Sequence, residues 1–172
     1  MMRIRPLAEA HLSLIRTWMR DAPMTPAWSD DVLAAIVKAP SGNQRRVRSG
    51  WIAEDENRSA IAGFVVATAL CVPDTVTDTP AECELEFVFV APEARGQGIG
   101  RMLIRTICAW ARDLGADEMR LEVRASNTHA LRLYERCGFL IEGRRPGYYA
   151  DPREDAVLMR CRIEPGREDA PV

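Results

Sequence analysis

The sequence contains almost no lysine: of its 23 basic residues only Lys38 is a lysine, and the others are arginines. No lysine follows the glycine-rich stretch at residues 95–100, which excludes a P-loop, because that motif ends in Gly-Lys-Ser/Thr. A dinucleotide-binding fingerprint, G-x-G-x-x-G read from Gly96, is also excluded, since Arg101 stands in place of its last glycine.

Long apolar runs and metal-binding cysteine pairs are missing as well. No run approaches the length of a membrane span, and residues 1–20 lack the continuous apolar core of a signal peptide, so we expect a cytoplasmic protein. The cysteines show neither a C-x-x-C pair nor a zinc spacing, and we expect buried, reduced thiols and no metal site. They are Cys71, Cys83, Cys108, Cys137 and Cys161.

Charge of either sign is nearly balanced. A net charge of −2 provides no general attraction to nucleic acid, so we expect neither direct nucleic-acid binding nor membrane binding. The length of 172 residues and the hydrophobic content of 47% are those of one globular domain. We assign residues 1–163 to that domain and predict a flexible tail at residues 164–172.

Residues 84–110 form the stretch around which the rest is organised: a strand, a turn, a glycine-rich loop and a helix. Residues 87–90 are β-branched or aromatic, as is typical of a buried strand, and Pro92 ends it. From Ile99 onward apolar residues recur at steps of three and four, which predicts a helix that Gly115 ends.

The loop inside this stretch predicts an anion-binding site. Three glycines remove the Cβ atoms that would keep a ligand from the backbone, and the first amides of a helix have no internal partners. With the helix dipole, such a loop suits phosphate, and a diphosphate above all. Taken alone, it could equally be a turn between strand and helix. The candidate contacts are Arg95, Gly96, Gln97, Gly98, Ile99, Gly100 and Arg101.

The remaining patterns predict a mixed α/β protein. Residues 118–124 alternate in polarity and predict a strand, which is parallel to the strand at residues 84–90 if the helix between them is the crossover. We also predict strands at residues 2–6, 51–53, 61–72, 139–142 and 156–163. Helices are predicted at residues 8–20 and after the caps Ser29, Asp30, Ser126 and Asn127. Loops are predicted at residues 39–50, 72–80 and 143–155.

The loop fits R/Q-x-x-G-x-G/A through Arg95, Gly98 and Gly100, and on this motif the chain resembles the GCN5-related N-acetyltransferases, or GNAT enzymes. The blocks LEVRASNTHALRLYERCGF and YYADPREDAVLM resemble the ribosomal-protein-alanine N-acetyltransferases of that family, although Ala27 replaces a proline of that subfamily. The resemblance implies a single-domain GNAT fold with a mixed sheet of about six to seven strands, splayed parallel central strands and flanking helices.

The resemblance also implies acetyl-CoA as co-substrate and a protein N-terminal α-amine as acceptor, such as that of a small-subunit ribosomal protein. Glu122 matches the subfamily's proton acceptor, Tyr134 its proton donor to the departing thiolate, and Asn127 a coenzyme contact. A weak base suffices for an α-amine, whose pKa is near ~8. Taken alone, the three residues could be a solvated charge, a core tyrosine and a helix cap. The acetyl contacts fall on Val88, Phe89 and Val90.

Two residues depart from the subfamily pattern and bear on the acceptor. Phe89 replaces a small residue and Phe87 a polar one, which affects the shape of the amine tunnel. Glu84 is a rival base, because histone-type GNAT enzymes place a glutamate there. Glu82, Glu84 and Glu86 share one face of their strand. Together with Glu122 they could attract a basic peptide end or be merely solvated. A small amine, such as a polyamine, an antibiotic or an amino acid, is an alternative acceptor, and binding of acetyl-CoA without turnover is a further alternative. Candidate acceptor contacts are Glu84, Glu86, Tyr148 and Tyr149.

Overall fold

Seven strands and four α-helices form the part of the chain that the computed structural model describes, residues 1–21, 28–38, 46–70 and 81–164. The strands are β1 (Met2–Pro6), β2 (Arg46–Asp55), β3 (Ala60–Leu70), β4 (Glu82–Val90), β5 (Glu118–Arg124), β6 (Leu140–Ala150) and β7 (Arg153–Arg162). The helices are α1 (Leu12–Asp21), α2 (Asp30–Val37), α3 (Ile99–Asp113) and α4 (Thr128–Arg136), with 3-10 turns at Glu9–His11 and Pro92–Ala94. The strands form one sheet in the order β1-β2-β3-β4-β5-β7-β6.

The two central strands separate over most of their length. Parallel strands β4 and β5 share only two residue pairs among the described residues, through Cys83 and Glu84 on the β4 side. Beyond Glu84, β4 stays paired with β3 as far as Val90, with a bulge that leaves Glu86 without a partner in the register. The predicted parallel pair, its splaying and the mixed sheet are therefore confirmed.

Helices cover the two faces of the sheet unequally. Helices α3 and α4 bury one face, with Leu103 and Ile107 fully covered against Met119 of β5. On the other face α1 and α2 pack over β2, β3 and β4, where Ile15 and Phe64 are buried. That second cluster contains no residue of β5, β6 or β7, so among the described residues no helix packs on that face of these strands.

Two predicted loops are wrong in part. Residues 46–50, predicted as loop, belong to β2, because β3 is long enough to pair with them up to Leu70. Most of the predicted loop at residues 143–155 lies in β6 and β7. Strand β6 is an edge strand with two register shifts, and such bulges accommodate the glycines and proline that the sequence reasoning took as loop signals.

Several expectations fall partly or wholly outside the described residues. They are the position of Ala27, residues 39–45 of one predicted loop, Cys71, the loop at residues 72–80 and the tail from residue 165. Of the described cysteines, Cys83 and Cys161 are buried as predicted, but Cys108 and Cys137 are half-exposed. Both line a surface groove between α3 and α4. None of the described helices is long and apolar enough to span a bilayer.

Candidate active site

The opening between β4 and β5 exposes the segment that was expected to contact an acetyl group. Val88, Phe89 and Val90 are half-buried and pair with β3, and they have no ladder partner on the β5 side among the described residues. Val90 accepts a hydrogen bond through its carbonyl from Arg95 Nε, 3.1 Å away. This contact fixes the start of the glycine-rich loop against the end of the strand.

The two phenylalanines of β4 point away from α3. The ring of Phe89 lies 5.0 Å from that of Trp18 on α1, and the ring of Phe87 lies 5.8 Å from that of Trp28. Phe64 of β3 packs against both of them. The bulky residues that depart from the subfamily pattern thus belong to one aromatic cluster under α1 and α2.

The glycine-rich loop leaves open space at its backbone. Gly96 and Gly98 have φ angles of +76° and +79°, and a Cβ built on either residue would meet nothing within 4 Å. Gly98 is the N-cap of α3 and offers no side chain to the amides of the first turn. Those donors have no side-chain cap and face open space, so the predicted anion site is sterically possible and stays a prediction. Gln97 stabilises the loop by donating to the Glu93 carbonyl at 3.4 Å.

Gly100 has a different role from the other two glycines. A Cβ on Gly100 would lie 2.9 Å from Leu133 Cδ2, so the absence of a side chain lets α4 approach α3 closely. Helix α4 begins at Asn127, whose Oδ1 accepts from the Ala130 amide at 3.2 Å. The structure therefore shows the cap role of Asn127, while its coenzyme contact stays a prediction.

Carboxylates dominate a groove of about 650 Å³ on the sheet face that carries α1 and α2, next to the part that these helices cover. Glu84 and Glu122 both line it, from β4 and β5 respectively. Glu84 is exposed to solvent, and its pKa is raised because the surrounding protein partly desolvates the carboxylate and because Glu122 and Glu86 add negative charge, against smaller opposing effects of Arg46 and Arg145. We call this region the acidic groove, and its carboxylates are Glu82, Glu84, Asp117, Glu118, Glu122 and Glu142.

Glu122 interacts with two residues of β6, Arg145 and Tyr148. Both lie in the segment predicted as a loop, and only Tyr148 was predicted as a candidate contact. Oε1 of Glu122 lies 2.7 Å from Nη1 of Arg145. Tyr148 also hydrogen-bonds to Glu122, and this bond raises the pKa of the tyrosine. The Arg145 guanidinium lies 5.3 Å from the centre of the Tyr148 ring. The residue spacing does not indicate Arg145, because the register shifts of β6 determine the face of the sheet to which each of its side chains points. From that face Arg145 reaches Glu122 across β7.

Glu86 is engaged elsewhere. Arg48 Nε lies 2.8 Å from its Oε1, the hydroxyl of Thr68 donates to the same oxygen, and both charged side chains are mostly buried. A carboxylate that is neutralised in this way contributes little attraction for a distant cation. Glu84, by contrast, forms no ion pair with a described residue. It lines the acidic groove together with Glu122.

Tyr134 lies under the sheet on α4, and only 7% of its surface is exposed. Burial raises its pKa, with a smaller contribution from Tyr149, so the hydroxyl keeps its proton at neutral pH. Its ring packs 5.7 Å from Phe139. Tyr149 in turn lies under Arg124 at 4.2 Å, and Arg124 pairs with Glu154 at 2.8 Å. These contacts fix the β6–β7 turn against the end of β5.

The arrangement offers the parts of an acyl-transfer site. It combines open backbone donors at the start of α3, a gap between two parallel strands, a carboxylate pair and a protonated tyrosine. Within the described ranges no group of three or more His, Cys, Asp or Glu side chains is arranged to hold a metal ion.

The model of the acetyltransferase (GNAT) family matches residues 12–139, and the chain belongs to this family. The chain is 38% identical over 97 residues to the [ribosomal protein bS18]-alanine N-acetyltransferase of Escherichia coli K12, covering 55% of this chain and 64% of that enzyme. It is 41% identical over 81 residues to the N-alpha-acetyltransferase RimI of Mycobacterium tuberculosis, covering 47% of this chain and 49% of that protein. The matches thus span about half to two thirds of these relatives.

Solved structures agree with the sequence comparison. The ribosomal-protein-S18-alanine N-acetyltransferase of E. coli superimposes over all of both chains with a TM-score of 0.71 and 28% identity. Arabidopsis thaliana NAA60 in complex with acetyl-CoA superimposes with a TM-score of 0.79 and 19% identity over 95% of this chain and 99% of that one, a likeness of fold. The predicted GNAT fold and the resemblance to ribosomal-protein-alanine N-acetyltransferases are confirmed.

Proposed function

We propose that this protein transfers an acetyl group from acetyl-CoA to the N-terminal α-amine of a protein, and that a small-subunit ribosomal protein is the natural acceptor. The observation that carries the proposal is the pairing of an open glycine loop with a splayed β4–β5 gap in a chain of this family. The E. coli relative, which acts on bS18, supports the choice of acceptor. A cytoplasmic location is the corresponding expectation.

The loop fits the diphosphate of a coenzyme A thioester. Backbone amides at the start of α3 would bind the diphosphate, because Gly96 and Gly98 leave the approach clear and the helix dipole favours an anion there. Ile99, Gly100 and Arg101 follow in the first turn, and Arg95 and Gln97 hold the loop. The co-substrate supplies the activated acetyl group when it is bound.

Glu84 and Glu122 would receive the proton of the α-amine. Arg145 orients the Glu122 carboxylate through Oε1 at 2.7 Å, which leaves the second carboxylate oxygen to accept a hydrogen bond from the acceptor's amine. Glu84 has a raised pKa and is therefore the better proton acceptor near neutral pH. We assign Glu122 to the acceptor's ammonium group and keep both carboxylates as one proton-accepting pair, through water where direct contact is absent. Tyr148 and Tyr149 border the same acceptor side.

The transfer itself forms a C–N bond and breaks a C–S bond. The β5-facing backbone of Val88, Phe89 and Val90 would polarise the thioester carbonyl. Tyr134 would then donate its hydroxyl proton to the departing thiolate and regain one from the carboxylate pair through solvent. Burial raises the pKa of Tyr134, so its hydroxyl carries a proton at neutral pH when the thiolate departs.

The test is mass spectrometry of peptides after incubation with protein and acetyl-CoA. A peptide with the N-terminal sequence of the small-subunit protein S18 should gain one acetyl group on its α-amine, and the same peptide with a blocked α-amine should gain none. If no α-amine in a panel of ribosomal N-terminal peptides is acetylated while the protein still binds coenzyme A, the acceptor assignment is wrong. If coenzyme A does not bind, the enzyme assignment is wrong.

Acetylation of a small amine is the second candidate, and the aromatic cluster around Phe87 and Phe89 favours it. Two bulky rings lie where a peptide-acetylating relative would carry smaller side chains, and an enclosed aromatic wall suits a compact amine. Competition between the peptide and a mixture of polyamine, aminoglycoside and free amino acids would separate the two acceptor classes by their relative kcat/KM.

A further inference from the structure

A second groove lies on the opposite face of the sheet, between α3, the end of α4 and the end of β7. Its volume is about 270 Å³ and its floor includes Cys108, Cys137 and Cys161. Five arginines line it, and we call it the arginine groove: Arg101, Arg105, Arg112, Arg136 and Arg162. Glu164 is the one carboxylate among its lining residues.

Most of these arginines have no anionic partner. Arg112 lies 3.7 Å from Asp113, while Arg101, Arg105, Arg136 and Arg162 make no ion pair with any residue that the structure describes. All five are exposed. The thiol of Cys137 adds no negative charge at neutral pH, because burial raises its pKa. The groove therefore concentrates positive charge that the net charge of the chain does not reveal.

The arginines of α3 form a line rather than a cluster. Arg101, Arg105 and Arg112 fall within a sector of about 40° on the helix surface and span about 16 Å along its axis. That length corresponds to roughly five nucleotides of one strand, at ~3.4 Å each along a nucleic-acid helix. Arg136 approaches from the end of α4 and gives the line a second wall. Arg162 lines the groove from β7, but it pairs with Glu118 in the sheet and its side chain points to the opposite face, so it adds less charge than the other four.

We infer that the arginine groove binds the phosphate backbone of a nucleic-acid strand. A line of unpaired guanidinium groups with almost no carboxylate suits the regular charge of such a strand, and each group can bind a phosphate bidentately. An acidic peptide fits less well, because a nucleic-acid strand carries a charge on every nucleotide whereas a peptide needs a run of acidic side chains to match the arginine line. Since Ile104, Ala109 and Ile163 also line the groove, a competition experiment has to separate the two occupants. A bilayer surface is flat and would not reach the floor of a groove.

The inference goes beyond the proposed function and can be tested without an acetyl acceptor. The full-length protein is titrated into fluorescein-labelled single-stranded RNA of 12 uridines, a 12-base-pair RNA duplex and a DNA duplex of equal length, at several salt concentrations. Binding should weaken with salt, with a slope of about −0.7 per phosphate contact for the single strand and about −0.9 for a duplex. The three probes distinguish RNA from DNA as the source of the backbone.

The decisive variant is Arg105→Gln/Arg136→Gln, which removes two charges from the groove. We expect about tenfold weaker binding at low salt and a slope that falls by roughly 1.4 for the single strand, two contacts fewer. The matched control is Arg3→Gln/Arg5→Gln, which removes the same charge from β1 at the far edge of the sheet. Retained coenzyme A binding in the groove variant would show that it folds.

Three results would overturn the inference. Equal loss of binding in the groove variant and the β1 control would assign the effect to net charge alone. Displacement of the RNA by saturating coenzyme A, together with unchanged RNA affinity of the groove variant, would place the RNA on the glycine loop instead of the groove. Competition by polyglutamate at the same charge concentration as RNA would show that the groove is an acidic-peptide site.

Discussion

The acidic groove and the arginine groove lie on opposite faces of one sheet, and both contain arginines, but those arginines are used differently. In the acidic groove two of the three lining arginines, Arg145 and Arg120, pair with a glutamate at 2.7 Å and 2.5 Å, and Arg46 makes no ion pair with a described residue. In the arginine groove four of the five lining arginines have no ion pair within the described residues. Ion-paired arginines orient carboxylates, whereas unpaired ones leave a positive field at the surface.

Helix α3 carries a second comparison, between the glycine-rich loop and the arginine groove, since its start offers backbone amides to a diphosphate and its exposed side carries the arginine line. These two anion sites depend on different interactions. The first depends on φ angles and open space, and the second on side-chain charge. Substitutions that remove one and leave the other should therefore separate them.

The largest effect is expected for Gly98→Val. Its φ of +79° disfavours a β-branched residue, and the added methyl groups would occupy the space through which a diphosphate approaches. Affinity for acetyl-CoA, measured by calorimetry, should fall by roughly a hundredfold or more, which corresponds to about 2.7 kcal/mol. Binding of RNA by the arginine groove should persist.

Gly115→Val is the matched control for that substitution. Gly115 ends α3 with a φ of +82° and equally open space, so it carries the same backbone cost without facing the coenzyme loop. Both variants should lose similar melting temperature, and only Gly98→Val should lose coenzyme binding. Tight binding of acetyl-CoA by Gly98→Val would refute the loop assignment.

Tyr134→Phe should have the next largest effect. It removes the hydroxyl and leaves the packing against Phe139, so kcat should fall by about a hundredfold, within the usual range for a general acid. The dissociation constant for acetyl-CoA should hardly change, because the loop and α3 are untouched. An unchanged kcat at saturating acetyl-CoA would mean that another group protonates the thiolate.

Glu84→Gln and Glu122→Gln test which carboxylate of the acidic groove accepts the proton and which one binds the acceptor's amine. At pH 7 about a tenth of an α-amine with a pKa near 8 is neutral, so loss of the proton acceptor should lower kcat by about tenfold at pH 7 and hardly at all at pH 9. We expect this pH-dependent loss for Glu84→Gln, whose carboxyl has the raised pKa. Glu122→Gln should mainly raise KM for the peptide. The reverse pattern would make Glu122 the base.

The sequence was sufficient for the elements with strong local signals. Strand β5 and the loop before α3 follow from alternation and glycine spacing alone, and Ser29 and Asn127 cap the helices that they were predicted to cap. Arg145 and its contact with Glu122 were not predictable, because two bulges in β6 set its direction. The arginine groove was hidden as well, since helical spacing aligns Arg101 with Arg105 but only the fold adds Arg136 and Arg162.

Stability provides a further comparison, between a paired and an unpaired glutamate of β4. Glu86→Gln should lower the melting temperature, because it leaves the mostly buried Arg48 without its ion-pair partner. The loss should be several degrees by differential scanning fluorimetry at pH 7, the usual size for a partly buried pair in a domain of this length. An unchanged melting temperature would show that solvent compensates Arg48 fully.

Glu84→Gln should have the opposite sign and the smallest size. The folded protein holds the Glu84 proton more tightly than the unfolded chain does, since its pKa is raised by partial desolvation and by Glu122. Stability therefore falls as the pH rises through the range between the ordinary and the raised pKa, and at pH 7 the ionised carboxylate is destabilising. Glutamine removes that cost, so the melting temperature should rise by about 1–3 °C at pH 7, allowing for solvent screening.

The gain should vanish below pH ~4, where both states carry a neutral carboxyl. A melting temperature that falls at pH 7, or a gain that is the same at both pH values, would mean that Glu84 is stabilised by a partner as Glu86 is.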